Sequence, residues 1–261
     1  PWSISDRPRY GWRGLLLDVS RNFFPVSSIE RTIRGMAYAK LNTLHLHVTD
    51  AQTFPIELKD PVAQVLTHGY TGDKVYTQEQ IVALVKYGIQ HGVRIVPEFD
   101  TPAHATSWQG RGGAYADMIT CNNAEPWTDY CYQPPCGQLS PLNTSRSYEV
   151  MGRVIGEMAA LFPDEYFHVG ADEPFTACWN HSRAVREWLE ANGYGWRDAD
   201  ANYTRGMKAL SDYFSREREG MVSGAGKVQV GWQELQEHAP SSPSVMQVWL
   251  SPKSEKLSSA L

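Results

Sequence analysis

The sequence has no apolar run long enough to cross a bilayer and no dense cluster of basic residues. No stretch approaches the roughly 20 uninterrupted apolar residues that a membrane-spanning helix needs. The 24 Lys and Arg residues are outnumbered by 29 Asp and Glu residues, and the formal net charge is −5. Little is therefore available to neutralise a phosphate backbone or an anionic membrane. We expect neither a nucleic-acid partner nor a membrane span.

Cysteine is scarce, and its spacing excludes the common zinc and redox motifs. The cysteines are Cys121, Cys131, Cys136 and Cys178. None forms a C-x-x-C pair, which leaves structural disulfides or buried thiols. Three glycosylation sequons favour disulfides, since both features are typical of the secretory pathway. The acceptor residues are Asn143, Asn180 and Asn202. We predict the disulfides Cys136–Cys178 and Cys121–Cys131, and an extracellular, lysosomal or vacuolar location.

Short apolar runs alternate with segments of helical periodicity, which predicts repeated βα units around a parallel sheet. The six predicted strands cover residues 14–20, 43–49, 93–99, 165–170, 227–232 and 245–250. The fold class is therefore α/β. We expect a (β/α)8 TIM-type barrel with about six of its eight strands in this chain, as one domain over residues 1–261.

We expect two βα units of such a barrel to be absent from the C-terminal end of this sequence. The N-terminus, Pro1-Trp2-Ser3-Ile4, also lacks the regions of a signal peptide, so we expect a mature or excised piece. An open sheet exposes unpaired strand edges. We expect a homodimer or a second chain to complete the barrel, and negligible activity from the 261-residue chain alone.

Capping boxes predict the starts of two helices. The first, Ser27-Ser28-Ile29-Glu30, precedes apolar residues at core-facing spacings, and the second is Thr77-Gln78-Glu79-Gln80. The second box precedes Ile81, Leu84, Val85 and Ile89. Gly92 ends this helix. Three more helices are predicted at about 148–162, 183–192 and 199–218.

Residues from about 105 to 147 are rich in Gly, Pro, Cys and Asn and show no sustained period. This composition predicts a long loop. Loops of such length inside a compact domain are usually functional.

Polar residues follow the C-terminal end of one predicted strand after another, which is where the active sites of parallel barrels lie. The candidates are Asp18, Arg21, His45, His47, Asp50, Glu98, Asp100, His104, Asp172 and Glu173, with Trp232 and Trp249 ending the last two strands. Taken singly, Asp18 or Asp100 could cap a loop, and His45 or His47 could be a satisfied core histidine. Four consecutive strands that end in ionisable groups favour a catalytic pocket, because buried charges are costly.

The pair Asp172-Glu173 beside two tryptophans is typical of glycoside cleavage, which uses one protonated acid and one negative group. Adjacent strand residues point to opposite faces, so the strand must end before this pair. Gly170 and Ala171 permit the turn. Burial and like-charge repulsion should raise one of the two pKa values.

A catalytic metal is the competing interpretation of these groups. No His-x-x-x-His or Glu-x-x-His pair falls on a predicted helix. We therefore expect no metal and no cofactor.

Four segments resemble the family 20 glycoside hydrolases, the β-hexosaminidases. They cover residues 18–24, 44–50, 96–104 and 168–173, and the likeness extends over essentially the whole chain. The resemblance implies a catalytic barrel domain that releases terminal β-linked N-acetylglucosamine or N-acetylgalactosamine. The implied substrate is a glycan or chitooligosaccharide.

The resemblance also implies a role for each carboxylate. Glu173 is the general acid and then the general base, and Asp172 orients and stabilises the acetamido group of the substrate. The carbonyl oxygen of that group acts as the nucleophile and forms an oxazolinium ion. Asp50 and His104 form a hydrogen-bonded chain to Glu173.

Three further residues contact the sugar by the same resemblance. Arg21 binds ring hydroxyls, and Trp232 and Trp249 wall the acetamido pocket. Ala103 and Ala171 depart from the family, which more often has glycine there. The family's last two strands supply a tyrosine, an aspartate or asparagine, a third tryptophan and a glutamate, and this sequence contains none of those segments.

Two alternatives remain open. A catalytically inactive glycan-binding or scaffold homologue has no need of the perturbed acid that these residues provide. A chitinase-like barrel would carry a D-x-x-D-x-D-x-E run, which this sequence lacks.

Overall fold

Six parallel strands form one sheet in the computed structural model of the chain, which describes residues 1–195, 201–238 and 240–250. The strands are β1 (Gly14–Asp18), β2 (Thr43–Thr49), β3 (Arg94–Thr101), β6 (Tyr166–Gly170), β7 (Val228–Trp232) and β8 (Ser244–Gln247), in that spatial order. Every neighbouring pair is parallel. The predicted six-stranded part of a (β/α)8 barrel is confirmed.

Helices follow the strands of the sheet. They are α1 (Val26–Tyr38), α2 (Gln78–Gln90), α3 (Ser147–Leu161), α4 (Thr176–His181), α5 (Arg183–Ala191) and α6 (Ala201–Gly224). The helix α4 was not predicted, because six residues are too few to show a period. The prediction for α6 ended six residues early, at 218 rather than Gly224.

One of the two predicted capping boxes is correct. Thr77 accepts a hydrogen bond from the Gln80 amide, and the Gln80 side chain accepts one from the Thr77 amide, at the start of α2. The box at Ser27 is wrong. The carbonyl of Pro25 already accepts bonds from the amides of Ser28 and Ile29, so α1 begins at Val26 and Ser27 lies inside its first turn. In α2, Ile89 is 62% exposed and does not join the core.

The alternation of side chains along β2 separates the core from the barrel interior. Leu44, Leu46 and Val48 are buried in the main apolar core. The intervening His45 and His47 point the other way, toward the carboxylate of Glu98 in the barrel interior. Period-two alternation thus delivers ionisable side chains to the inner face of the sheet.

The segment between β3 and α3 contains short 3-10 turns and an antiparallel pair of strands, β4 (Ile119–Thr120) and β5 (Gln138–Leu139). Two disulfides pin this segment, Cys121–Cys178 and Cys131–Cys136, with Cα–Cα distances of 5.2 and 5.4 Å.

The predicted disulfide pairs, Cys136–Cys178 and Cys121–Cys131, are therefore wrong. Cys121 follows β4 directly, and α4 packs there, with the Thr120 hydroxyl 3.3 Å from the sulfur of Cys178. The hairpin thus places Cys121 within bonding distance of Cys178 on α4, and Cys136 packs in the same buried cluster. Cys131 and Cys136 then face each other across a tight turn.

The sheet has two open edges within the described part of the chain, where β1 and β8 each pair on one side. Leu15 and Leu16 on β1 are each 40% exposed, and Met246 on β8 is 36% exposed. These side chains line an open groove together with His45.

Two of the three sequon asparagines can be compared for accessibility. Asn143 is exposed in the long loop, and Asn180 is half-buried in α4 with its carbonyl oxygen buried. Asn202 lies in the first turn of α6, among side chains outside the described residues. Among the described helices, none is both long enough and apolar enough to span a membrane.

Candidate active site

A left-handed turn after β6 presents Asp172 and Glu173. Gly170, Ala171 and Glu173 have φ values of +68°, +77° and +55°. Gly170 is required here, because a Cβ at this position would lie 1.7 Å from Oδ1 of Asp100. Ala171 adopts a conformation that glycine would adopt freely, at a cost of about 1 kcal/mol. The strand has ended before the carboxylate pair, as the sequence required.

His104 joins the two carboxylates to a third. Its Nε2 atom lies 3.1 Å from Oε2 of Glu173 and 3.7 Å from Oδ2 of Asp172. Its Nδ1 atom lies 3.3 Å from Oδ1 of Asp50. The His104 side chain is only 7% exposed. Burial lowers the pKa of His104, but hydrogen bonds to Asp50 and Glu173 outweigh burial and raise this pKa well above its usual value.

Arg21 is fixed at the rim of the same site. Its Nη2 atom lies 2.7 Å from Oδ2 of Asp50, and its Nη1 atom donates to Oδ2 of Asp18 at 2.8 Å. The other oxygen of Asp18 accepts from the amides of Ser20 and Arg21, so Asp18 caps this loop and also binds the guanidinium. The Nε atom donates to Oε1 of Gln133 at 3.0 Å. Gln133 comes from the disulfide-closed turn and was not predicted.

Glu98 lies beneath the site with no exposed surface and four groups around its carboxylate. Its Oε2 atom is 2.6 Å from Nε2 of His45 and 2.7 Å from Nδ1 of His47. Its Oε1 atom accepts from the indole of Trp232 at 2.9 Å and lies 3.3 Å from Nδ1 of His168. The sequence placed Glu98 among the candidates without showing this network, which depends on strand register.

His47 bridges two buried carboxylates. Its second ring nitrogen, Nε2, lies 2.9 Å from Oδ2 of Asp50. Burial lowers the pKa of His47, but Glu98 and Asp50 outweigh burial and raise this pKa well above its usual value. Burial would raise the pKa of Asp50, and His104 and His47 hold it far below its usual value instead. His47 is therefore a fixed cation between two anions.

Asp100 and Asp172 are the carboxylates with raised pKa values. Burial raises the pKa of Asp172 to about 6. Burial and the nearby Asp172 raise the pKa of Asp100 well above its usual value. Oxygen atoms of Glu98, Asp100 and Asp172 lie within 4.8 Å of one another. Of the pair Asp172-Glu173, burial thus raises the pKa of Asp172.

The two tryptophans occupy different surroundings. Trp232 is half-buried, and its ring centroid lies 5.7 Å from that of His45 and 5.3 Å from that of His168. Trp249 follows β8, is 44% exposed and donates through its indole to Glu234 at 3.1 Å. Their role as walls of an acetamido pocket stays a prediction, and Glu234 was not predicted.

The clustered histidines and carboxylates also include sets that could hold a metal ion, such as His45, Glu98 and His168. Both oxygens of Glu98 already have hydrogen-bond partners, which are His45 for Oε2 and the indole of Trp232 for Oε1. The expectation that the protein uses no metal stays a prediction.

The parallel barrel sheet, with carboxylates, a histidine and an arginine at the C-terminal ends of its strands, has the architecture of a glycoside hydrolase barrel. The family description "Glycosyl hydrolase family 20, catalytic domain" matches residues 10–261. The chain belongs to glycosyl hydrolase family 20.

Curated relatives carry related names. The chain is 43% identical over 192 residues to the chitooligosaccharidolytic β-N-acetylglucosaminidase of Bombyx mori. This match covers 73% of this chain and 31% of that protein. The chain is 34% identical over 260 residues to the β-hexosaminidase subunit β of Entamoeba histolytica, covering 95% of this chain and 42% of that protein. The chain thus spans less than half the length of these relatives.

Solved structures have the same fold. The chitobiase of Flavobacterium johnsoniae has a TM-score of 0.77 at 30% identity, and the match covers 95% of this chain and 35% of that one. The exo-β-N-acetylglucosaminidase of Vibrio harveyi, solved with N-acetylglucosamine, has a TM-score of 0.73 at 29% identity, covering 95% and 39%.

Proposed function

We propose that the protein is a retaining β-N-acetylhexosaminidase that removes terminal, non-reducing, β-linked N-acetylglucosamine or N-acetylgalactosamine. The observation that carries this proposal is the convergence of Asp172 and Glu173 on His104, which also contacts Asp50. The named relatives support a substrate with an N-acetylated sugar, such as a chitooligosaccharide.

The first step uses Glu173 as an acid. As the acetamido carbonyl oxygen of the substrate bonds to the anomeric carbon, the bond to the leaving oxygen breaks, and Glu173 gives its proton to that oxygen. A cyclic oxazolinium ion results, so no enzyme carboxylate becomes covalently attached. The ionised Asp172 accepts the acetamido N–H and faces the developing positive charge.

The second step reverses the direction of proton transfer. Glu173 takes a proton from water, the water oxygen bonds to the anomeric carbon, and the ring of the oxazolinium ion opens. Two displacements at one carbon retain its configuration. The cationic His104, held by Asp50, stabilises the Glu173 carboxylate between the two steps.

Arg21 binds the non-reducing sugar at the rim. Its side chain is 32% exposed while two carboxylates hold it in place, so hydroxyl groups of a sugar can reach donors that are already oriented. Trp232 and Trp249 stack against the acetamido group.

The cellular route is part of the same proposal. Two disulfides and an exposed sequon at Asn143 support passage through the secretory pathway to an extracellular, lysosomal or vacuolar site. The open edges of β1 and β8 support a barrel that further strands complete, from a longer chain, a homodimer or a second chain.

The mechanism is tested with the complete protein and a series of aryl β-glycosides whose acetamido group carries zero, one, two or three fluorine atoms. Fluorine weakens the carbonyl oxygen as a nucleophile, so kcat should fall steeply and steadily along the series. An equal kcat for all four would exclude participation of the acetamido group. Binding of N-acetylglucosamine without any turnover would favour the inactive glycan-binding alternative.

A further inference from the structure

Arg218 is a buried cation outside the site described above. It lies on α6 at a spacing of four residues from both Phe214 and Val222, on the stripe of the helix that packs into the core, and is 1% exposed. Its guanidinium carbon lies 5.8 Å from the centre of the Phe214 ring. A buried charge is costly unless it is paired or hydrogen-bonded.

Few groups satisfy this guanidinium. Its Nη1 atom donates to the carbonyl oxygen of Thr101 at 2.6 Å, with the Thr101 hydroxyl 3.5 Å away. The Nε and Nη2 atoms are buried and have no hydrogen-bond partner among the described residues. Hydrogen bonding to one carbonyl therefore does not account for a full positive charge at this position.

The charge lies behind the turn that holds the candidate catalytic carboxylates. Thr101 is the last residue of β3, pairs with Gly170 on β6 and directly follows Asp100. The amide of Ala171 donates to Oδ1 of Asp100 at 3.3 Å. Arg218 thus contacts Thr101, the residue after Asp100, and Asp100 in turn contacts the turn that leads into Asp172.

Acidic groups exceed cations in this region. The carboxylates are Asp18 on β1, Asp50 after β2, Glu98 and Asp100 on β3, and Asp172 and Glu173 after β6. The cations are Arg21, His47, His104 and Arg218, and the rings of His45 and His168 also face Glu98. Attraction to Asp100 is the largest effect that supports the charge of Arg218, while burial lowers the pKa of Arg218 to about 10. Glu219, the other acidic neighbour on α6, is bound by Ser241 and Ser242.

We propose that Arg218 is a positioning residue that supplies, from the helix layer, positive charge behind Asp100 and behind the turn that leads into Asp172. It acts through Asp100 and Thr101 and does not touch substrate. Its positive charge favours ionised Asp172, the form that the proposed mechanism requires, and so extends activity to lower pH. This inference rests on the proposed function.

The charge and the hydrogen bond can be separated by two substitutions. Arg218→Gln keeps an N–H donor for the Thr101 carbonyl and removes the charge, whereas Arg218→Lys keeps the charge. Arg216→Gln is the matched control, since Arg216 lies on the same helix with its side chain exposed. All are made in the complete protein.

The measurement is the pH dependence of kcat/KM for an aryl β-N-acetylglucosaminide. Loss of a nearby positive charge raises the pKa of a carboxyl group, so Arg218→Gln should move the acid limb of the profile upward by about one pH unit. Arg218→Lys and Arg216→Gln should keep the parent limb.

Two results would overturn the inference. One is a Gln variant with lower kcat but an unmoved acid limb, which would leave Arg218 a structural role only. The other is an acid limb that shifts as far in Arg218→Lys as in Arg218→Gln, because the Lys variant keeps the positive charge. If Arg218→Gln does not fold, Arg218→Met supplies the neutral variant under the same criteria. If the parent protein itself is inactive, the proposed function is refuted. This result differs from the two above, which require an active parent protein.

Discussion

The imidazole of His104 contacts the carboxylate of Glu173 at 3.1 Å while its opposite nitrogen faces Asp50 at 3.3 Å. Because both nitrogens have an acidic partner, the ring has one favourable orientation. The Glu173 carboxylate is thereby held in contact with the positively charged imidazole of His104.

Replacement of Glu173 by Gln should lower turnover of a β-linked chitooligosaccharide at least about 100-fold, the scale of general acid catalysis. Glycosides with good leaving groups, such as nitrophenyl, should lose less, because their departing oxygen needs little protonation. The ratio of the two losses in steady-state kinetics is the measurement. Equal losses for sugar and nitrophenyl leaving groups would remove Glu173 from the role of acid.

Ionisation of Asp172 should set the acid limb of activity. The pKa of Asp172 is raised to about 6 by burial, so the active, ionised form is lost as the pH falls through about 6. Asp172→Asn should lower kcat by about 100-fold or more, the scale for a group that stabilises transition-state charge. Its residual kcat should be flat across this pH range. If the acid limb of the pH profile is unchanged in Asp172→Asn, the ionisation that causes this limb belongs to another group.

The two disulfides should differ in their contribution to stability. A crosslink spanning 57 residues restricts the unfolded chain more than one spanning 5. Chain-entropy estimates are about 4 and about 2 kcal/mol. Denaturant unfolding should therefore show a larger loss for Cys121→Ser with Cys178→Ser than for Cys131→Ser with Cys136→Ser. Peptide mapping without reduction should recover the pairs Cys121–Cys178 and Cys131–Cys136, and any peptide linking Cys136 to Cys178 contradicts the structure.

The protonated state of His47 should make stability fall at alkaline pH. The pKa of His47 is raised on folding, so its contribution is complete below its unfolded value near 6.5 and disappears as the pH rises through the folded value. His47→Gln breaks a buried ion pair and should cost about 3 kcal/mol at pH 6. The variant should also lose less stability than the parent between pH 6 and pH 9 in urea titrations. A steeper loss for the variant would contradict the assignment.

Gly170→Ala should be poorly tolerated for two independent reasons. The position has a φ of +68°, and the added methyl group would lie 1.7 Å from Asp100. We expect a loss of more than about 2 kcal/mol in unfolding free energy, the scale of overpacking a rigid site. Gly193→Ala, at a φ of +75° with open space around it, is the control for backbone strain alone. Equal losses at the two positions would show that the contact with Asp100 is unimportant.

Local sequence patterns were sufficient for the strands and for the residues at their ends. Each barrel strand is a short apolar run, and the ionisable residues come directly after it. Because the strands are parallel and neighbouring, Asp50, His104 and Glu173 come together at the C-terminal ends of β2, β3 and β6. The α2 start at Thr77 was equally local, because a capping box needs only four residues.

Other features depend on contacts between distant segments. The partners of Cys121 and Cys136 depend on how the β4–β5 hairpin meets α4, and four cysteines allow three pairings from sequence alone. The hydrogen bond of Gln133 to Arg21 joins residues 112 positions apart. Arg218 did leave a signal, since it lies four residues from both Phe214 and Val222 on the apolar stripe of α6.

The four groups around Glu98 also affect how much the site must rearrange when charge develops in it during a reaction. Three of them, His45, His47 and Trp232, hydrogen-bond a carboxylate with no exposed surface, and the network continues through His47 to Asp50. In the proposed reaction, none of these three groups has to reorient when positive charge develops on the sugar. In water, solvent dipoles would have to reorient around the same charge, which costs free energy. Here the dipoles are oriented when the chain folds, so most of that cost does not arise during the reaction.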